Sequence, residues 1–330
     1  MKRLKLLRQQ NMSKKRIIIV TIFIILTIVS IVIGADMNLI SSLFAGDKIA
    51  WTNFIHGRLP RTMVIILAAS ALSVAGLIMQ SLSRNKFISP QTAGTTDAAG
   101  LGVLISMVFF GSQSIYLRFS FAFIFAMASS ILFMILLSKI KFKNIVYVPL
   151  IGMMYGALIG SVTTLIAHKM NMLQVVASLN LGSFSKITLL NSSLLIILIP
   201  ALVLAFIYAT AFSIISLGED FSINLGINYK ATMFIGLIIV AIVSAAVYIV
   251  VGPLPFLGLI IPNIVTMYYG DHVKKNLVDV AIFGSTFVLL NDIVSRLIRF
   301  PYEISVGLTM GVTGAIIFLF LIFKKVNANE

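Results

Sequence analysis

The sequence predicts an all-α polytopic membrane protein of about ten transmembrane helices, and three observations carry that expectation. Of 330 residues, 59% are hydrophobic and only 11% are charged, against ~25% charged in an average soluble domain. The apolar residues fall in long continuous runs, as in 17–33 and 63–79, where a membrane β-barrel would show short alternating strands. Finally, lysine and arginine sort to one side of the spans, as cytoplasmic loops of membrane proteins do.

In chain order, residues 1–16 form a basic cytoplasmic tail with seven Lys/Arg. An apolar run of 17 residues follows, and Ile33-Gly34-Ala35-Asp36 makes a poor cleavage site, so this reads as a first membrane helix and not a signal peptide. Spans are expected at 17–34, 60–82, 94–111, 117–138, 145–168, 191–213, 231–251, 257–270, 276–298 and 303–323. They make one permease domain over 17–323, with a short tail at 324–330. An even number of spans leaves both termini on one side. With that side cytoplasmic, Arg84, Lys86, Lys139, Lys141, Lys143, Lys230, Lys274, Lys275, Lys324 and Lys325 join the tail inside, giving 17 of 25 cations there and 8 outside. The formal charge of +15 is thus read as topology and attraction to anionic lipid, not to nucleic acid.

Between the sixth and seventh spans, 216–226 is short, polar and acidic. Ser216 and Glu219 have capping-box spacing, and Asp220 adds a second acid to the first turn. Leu217, Phe221 and Leu225 share one helical face, and Gly226 stands where a left-handed stop would. About nine residues reach only ~14 Å, less than half of a ~30 Å bilayer core. The segment is either a solvated loop with a helical turn or a docking element for a cytoplasmic partner.

Of the eight outer cations five are arginine: Arg58, Arg61, Arg118, Arg296 and Arg299. Arginine grips carboxylates bidentately, so this group suggests an acidic partner outside; interfacial snorkelling is the alternative. Two stretches read as broken: 86–102 as a polar re-entry, and 252–262 with three prolines and two glycines. Such backbone is tolerated at membrane depth when protein or a watery cavity covers it. Gly152, Gly156 and Gly160 recur every four residues in the fifth span, and Gly307, Gly311 and Gly314 mark the tenth. Small-residue faces serve internal helix packing, or else a dimer interface and central pathway.

No GxxxxGK[ST] loop, HExxH, CxxC or GxSxG occurs, there is no cysteine, and His56, His168 and His272 are scattered. That argues against ATP binding by the P-loop route and against a catalytic or metal site in this chain. Asp292 and Arg296 are spaced for an intrahelical pair. Asp97 is left as the one carboxylate an ion-coupled carrier could use.

RLPR at 58–61, Ser89-Pro90 with Gly94, LGxxxxxxLG at 217–226, PFLGLIIPNI at 255–264, GDH at 270–272, NDIVSRL at 291–297 and PYEISVG at 301–307 occur in this order. Together they resemble the iron–siderophore and vitamin B12 (FecCD-type) permease family of ABC importers, from Arg58 onward. The resemblance implies a type II ABC importer permease with broken or re-entrant segments, no enzyme activity or cofactor of its own, and ATP and Mg held by a partner ATPase. It implies a multi-pass protein of the bacterial plasma membrane, paired with a second permease copy or a paralogue, a cytoplasmic ABC ATPase dimer and an extracytoplasmic substrate-binding protein. Leu217, Gly218, Glu219, Asp220, Leu225 and Gly226 then map onto the ATPase-coupling helices. Arg58, Arg61 and Arg296 map onto arginines that dock the binding protein, and the fifth and tenth spans onto the pathway walls. The cargo implied is a ferric siderophore; cobalamin or haem within the same class, or an ion-coupled carrier, are the alternatives. Departures from the family pattern are Asn263 for His, Thr266 for Arg, Asn291 for Ala, Ser305 for Pro and Leu179 for Trp, which suggest a divergent branch with a lean towards catecholate chelates.

Overall fold

The computed structural model describes residues 2–33, 45–111, 114–139, 147–185, 187 and 192–327, with side chains at all of these except 2–13 and 324–327. Lys141 and Lys143 lie outside the described residues.

All regular structure among the described residues is helical. Helix α1 (Lys2–Val32) is unbroken through the basic tail into the first span. Helix α2 (Lys48–Asn53) is capped by the Asp47 carboxylate, which accepts from the Ile49 amide at 2.9 Å. It runs through one wide π-helical turn (Phe54–Arg58) into α3 (Leu59–Ser83), whose second residue is Pro60. The sequence reading began this span at 60 and did not foresee the helical residues from Lys48 to Leu59 before it. Then come α4 (Thr95–Phe110), α5 (Ile115–Lys139), α6 (Tyr147–Lys169) and the short α7 (Leu173–Leu179). A 3-10 turn (Ser193–Ile197) leads into α8 (Leu198–Ile207), followed by α9 (Ala209–Ile215) and α10 (Glu219–Asn224). The chain closes with α11 (Tyr229–Val250), α12 (Leu257–Tyr269), α13 (Val273–Leu297) and α14 (Val306–Asn327).

Among the described residues seven helices are long and apolar enough to cross a bilayer. The expected sixth span is present but bent by 59° between α8 and α9, and the third and eighth are the short apolar helices α4 and α12. Each of the ten segments expected from the sequence thus coincides with helix among the described residues, three of them in shortened or broken form.

The centre of the molecule is α3. Small side chains such as Ala68, Ala69, Ala71, Ser73, Ala75 and Gly76 let neighbours close on it from every side, so it is buried along almost its whole length. Helix α13 crosses at Gly284, which faces Ser73 and the Ala69 carbonyl, and α12 crosses at Gly258, which touches Gly76; neither Gly284 nor Gly76 has room for a Cβ. Helix α11 covers a third side and carries α5 and α4 beyond it. Helices α1, α6 and α14 sit at the periphery with most of their apolar surface uncovered.

The two irregular stretches dock on each other. The Gln80 side-chain amide donates to the Lys86 carbonyl at 2.9 Å and to that of Leu259 at 3.3 Å. Asn263 donates to the same two carbonyls at 2.7 and 2.8 Å. Two side-chain amides thus satisfy backbone groups that a break in a helix would otherwise orphan. Phe256 caps α12 in a left-handed conformation, φ +64°, unusual for an aromatic residue.

Candidate functional site

Three places bring together the residues that the sequence singled out.

The first is the turn between α9 and α11. Helix α10 has six residues, not nine, and Gly218 stands at its start with φ +119°, where a side chain would be strained. The capping box expected from Ser216 does not form: the Ser216 hydroxyl donates back to the Ser213 carbonyl at 2.7 Å. The hydroxyl that knits the turn is that of buried Ser222, which donates to the Gly218 carbonyl at 2.6 Å. At the far end Gly226, φ +78°, makes the left-handed stop, with the Ile227 amide donating to the Ser222 carbonyl at 2.9 Å. Around this compact turn Leu217, Phe221, Ile223 and Leu225 are each about 60% exposed, and the Glu219 and Asp220 carboxylates are exposed beside them. Four large apolar side chains on so short a turn form a patch that none of the described residues covers. Arg84, the left-handed cap of α3, lies against Gly218, so the patch is braced on the central helix.

At the opposite end of α3 stand the arginines that the sequence reading placed outside. Asp292 is wholly buried and holds two guanidiniums: Arg61 at 2.8 Å and Arg296, one turn along α13. The expected Asp292–Arg296 pair is therefore present, with Arg61 added. Arg61 also reaches Glu303 at 2.7 Å. Arg296 donates to the Ser30 and Ile33 carbonyls at 2.9 and 2.8 Å, and Arg58 donates to the Val32 carbonyl at 2.6 Å. These are end carbonyls of α1, which a helix leaves without partners and which carry its negative pole. Arg58 and Arg296 therefore cap α1 while Arg61 and Asp292 lock α3 to α13. Arg296 is enclosed beneath this surface with its side chain 6% exposed, an internal role the sequence reading did not foresee. Arg299 is exposed, near the Tyr302 ring.

The third place comprises α6 and α14. Gly152 faces the Thr92 carbonyl with no room for a Cβ, and Gly156 faces the Asp97 carboxylate. Gly307 abuts the Leu181 carbonyl and Gly314 the Phe256 ring. These four glycines pack inside the chain; Gly160 and Gly311 alone face open space. The uncovered faces are built instead by Met153, Met154, Leu158, Val162 and Leu165 on α6, and by Leu308, Val312, Ile316 and Phe320 on α14. Asp97 lies in the first turn of α4, half-buried, accepting from its own backbone amide, with no cation paired to it among the described residues. Three departures from the family pattern make ties here. Besides Asn263, the Asn291 side-chain carbonyl accepts from Thr313 at 2.8 Å, and Ser305 donates to the Gly182 carbonyl at 2.8 Å.

The chain is 44% identical over 304 residues to the petrobactin import system permease YclN of Bacillus subtilis (strain 168), covering 92% of this chain and 96% of that one. It is 37% identical to the ferric-anguibactin transport system permease FatD of Vibrio anguillarum (strain ATCC 68554 / 775), covering 93% and 98%. In three dimensions it superposes on a metal-chelate type ABC transporter in an inward-facing conformation with a TM-score of 0.78 at 21% identity, over 94% of this chain and 99% of the other, which supports the fold. The model of the FecCD transport family matches residues 17–324. The chain belongs to the FecCD transport family.

Proposed function

We propose that the chain is the membrane permease subunit of an ATP-driven importer of a ferric siderophore, in the bacterial plasma membrane with both termini in the cytoplasm. The observation that carries this reading is the 44% identity over nearly full length to a petrobactin import permease. Hydrolysis takes place in a separate cytoplasmic ABC ATPase dimer, and cargo arrives on an extracytoplasmic binding protein. A second permease copy or a paralogue completes the pathway. Leu217, Gly218, Glu219, Asp220, Leu225 and Gly226 form the element that seats on the ATPase; the uncovered apolar patch beside two carboxylates supports that role. The receptor docks on the outer end, with Arg58, Arg61 and Glu303 at the rim and Arg296 beneath it. Helices α6 and α14 rock between outward and inward access as the ATPase closes.

The test is uptake into proteoliposomes holding this chain, its partner permease and the ATPase, with receptor preloaded with ferric catecholates, ferric hydroxamates or cobalamin outside. Uptake that needs ATP inside and one loaded receptor outside is expected, and replacing both Glu219 and Leu225 by Lys should abolish it. Uptake indifferent to ATP would overturn the class, and full uptake by the double variant would overturn the coupling assignment.

A further inference from the structure

The end of the molecule where α1 begins its apolar run carries more positive charge than its own acids can balance. Lys14, Lys15 and Arg16 close the polar part of α1, and Lys274 and Lys275 open α13. Arg16 is engaged, with Nη2 2.6 Å from Asp279 and its guanidinium 5.1 Å from the Tyr269 ring. Asp271 is engaged in turn by Lys86 at 2.7 Å. Lys15 lies over the Tyr268 ring at 5.0 Å. Lys14, Lys15, Lys274 and Lys275 are exposed, and no carboxylate among the described residues pairs with them. Lys275 precedes Asp279 by one turn on the same face of α13, the face that Arg16 approaches. Four cations without a paired carboxylate among the described residues therefore gather where the polar part of α1 passes the end of α12 and the start of α13.

The surface that continues from them is apolar. Ile17, Ile18, Ile24, Ile25 and Ile28 of α1 are each more than half exposed, and Tyr268 is 50% exposed at the junction. A ligand that fits both halves has an anionic head and long hydrocarbon tails. An acidic protein would satisfy the lysines and leave the isoleucines uncovered.

We propose that this corner is a binding site for an anionic phospholipid. Its phosphodiester sits among Lys14, Lys15, Lys274 and Lys275, the two tyrosine rings lie at the level of the ester groups where amphipathic aromatics partition, and the acyl chains run along α1. The assignment needs only that the helices span a membrane, not the identity of the cargo.

The test is native mass spectrometry of the full chain released from micelles containing equal phosphatidylglycerol and phosphatidylcholine of the same acyl composition. The wild-type chain retains phosphatidylglycerol preferentially. The variant K14Q/K15Q/K274Q/K275Q loses that preference by at least tenfold, given about fivefold per cation held near an anionic surface. The control K48Q/K139Q/K169Q/K230Q, which removes the same charge from exposed lysines elsewhere, keeps it. Equal retention of both lipids by the wild type, or undiminished preference in the first variant, overturns the proposal. A control that loses as much as the first variant also overturns it, because the preference is then a matter of net charge and not of a site.

Discussion

Replacing Asp292 by alanine tests whether the outer end is held by charge. The carboxylate is fully buried and sits between Arg296 and Arg61, whose side chains are 6% and 13% exposed. Removing it leaves Arg296 with only carbonyl and hydroxyl acceptors on Ser30 and Ile33, while Arg61 keeps Glu303. Stranding one buried charge costs ~3–5 kcal/mol. The same chain supplies an internal control in Lys86–Asp271, where the partners are 47% and 66% exposed and an exposed pair contributes ~0–1 kcal/mol. At ~2 °C per kcal/mol for a chain of this size, Asp292→Ala should melt ~6–10 °C lower and Asp271→Ala no more than ~2 °C lower. The assay is thermal unfolding in a fixed detergent, followed by the fluorescence of Trp51, the only tryptophan in the chain. The double variant D292A/R296L should recover much of the loss, because it removes the stranded charge together with its partner. If Asp292→Ala melts within ~2 °C of Asp271→Ala, the outer cluster does not hold the fold and the account of α1 anchoring fails.

The remaining predictions concern the patch and the peripheral helices. Replacing Leu217, Phe221 and Leu225 together by serine should leave stability within ~1 kcal/mol of wild type, since all three are exposed, while ATP-driven uptake collapses; undiminished uptake would refute the coupling role. Gly160→Ala and Gly311→Ala meet open space, so each should raise stability by up to ~1 kcal/mol from helix propensity. Gly152→Ala drives a methyl into the Thr92 carbonyl and should lower stability by ~1–3 kcal/mol, and equal melting of the three variants would contradict the packing described for α6. Asn291→Ala removes the acceptor for Thr313 and should cost ~1 kcal/mol, read as faster hydrogen exchange in α14; unchanged exchange would show that this tie does not restrain the helix.

Much of the fold was legible because membrane burial leaves a strong pattern: ten apolar runs became ten helical segments. What escaped was whatever depends on a neighbour. The 59° bend between α8 and α9 lies in an apolar run that lacks a glycine or proline at the bend itself. Helix α2 was missed because it is polar and continues α3 outward. Ser216 has the right spacing for a cap, but the Ser213 carbonyl takes its hydroxyl and Gly218 starts the helix instead. The four-residue glycine repeat of α6 left internal packing and a dimer or pathway face both open, and spacing alone did not say that Gly152 and Gly156 meet the chain's own 92–97 segment while Gly160 faces open space. The three outer arginines were visible, and Asp292 was matched to Arg296 by spacing. That Arg61 joins them required knowing that α3 and α13 cross.

The distribution of burial constrains how such a chain can move. Helices α3, α11 and α13 are packed on several sides, and displacing them would expose core apolar surface at ~25 cal/mol per Å². Helices α6 and α14 are held at fewer places: Gly152 and Gly156 against the 92–97 turn, Gly307 against 181–182, and Gly314 against Phe256. These contacts are close and backbone-rich. Gly152 and Gly156 meet the first irregular stretch and Gly314 meets Phe256 in the second, and Gln80 and Asn263 tie the Lys86 carbonyl to the first turns of α12. On the proposed mechanism, force arriving at the α10 patch reaches α3 through Arg84, and the clamped stretches pass it to α6 and α14. The departures Asn263, Asn291 and Ser305 each add a hydrogen bond on this route, and alanine or proline at the last two could supply none of the side-chain bonds. Three of the five departures, Asn263, Asn291 and Ser305, thus tie separate segments of the chain to one another.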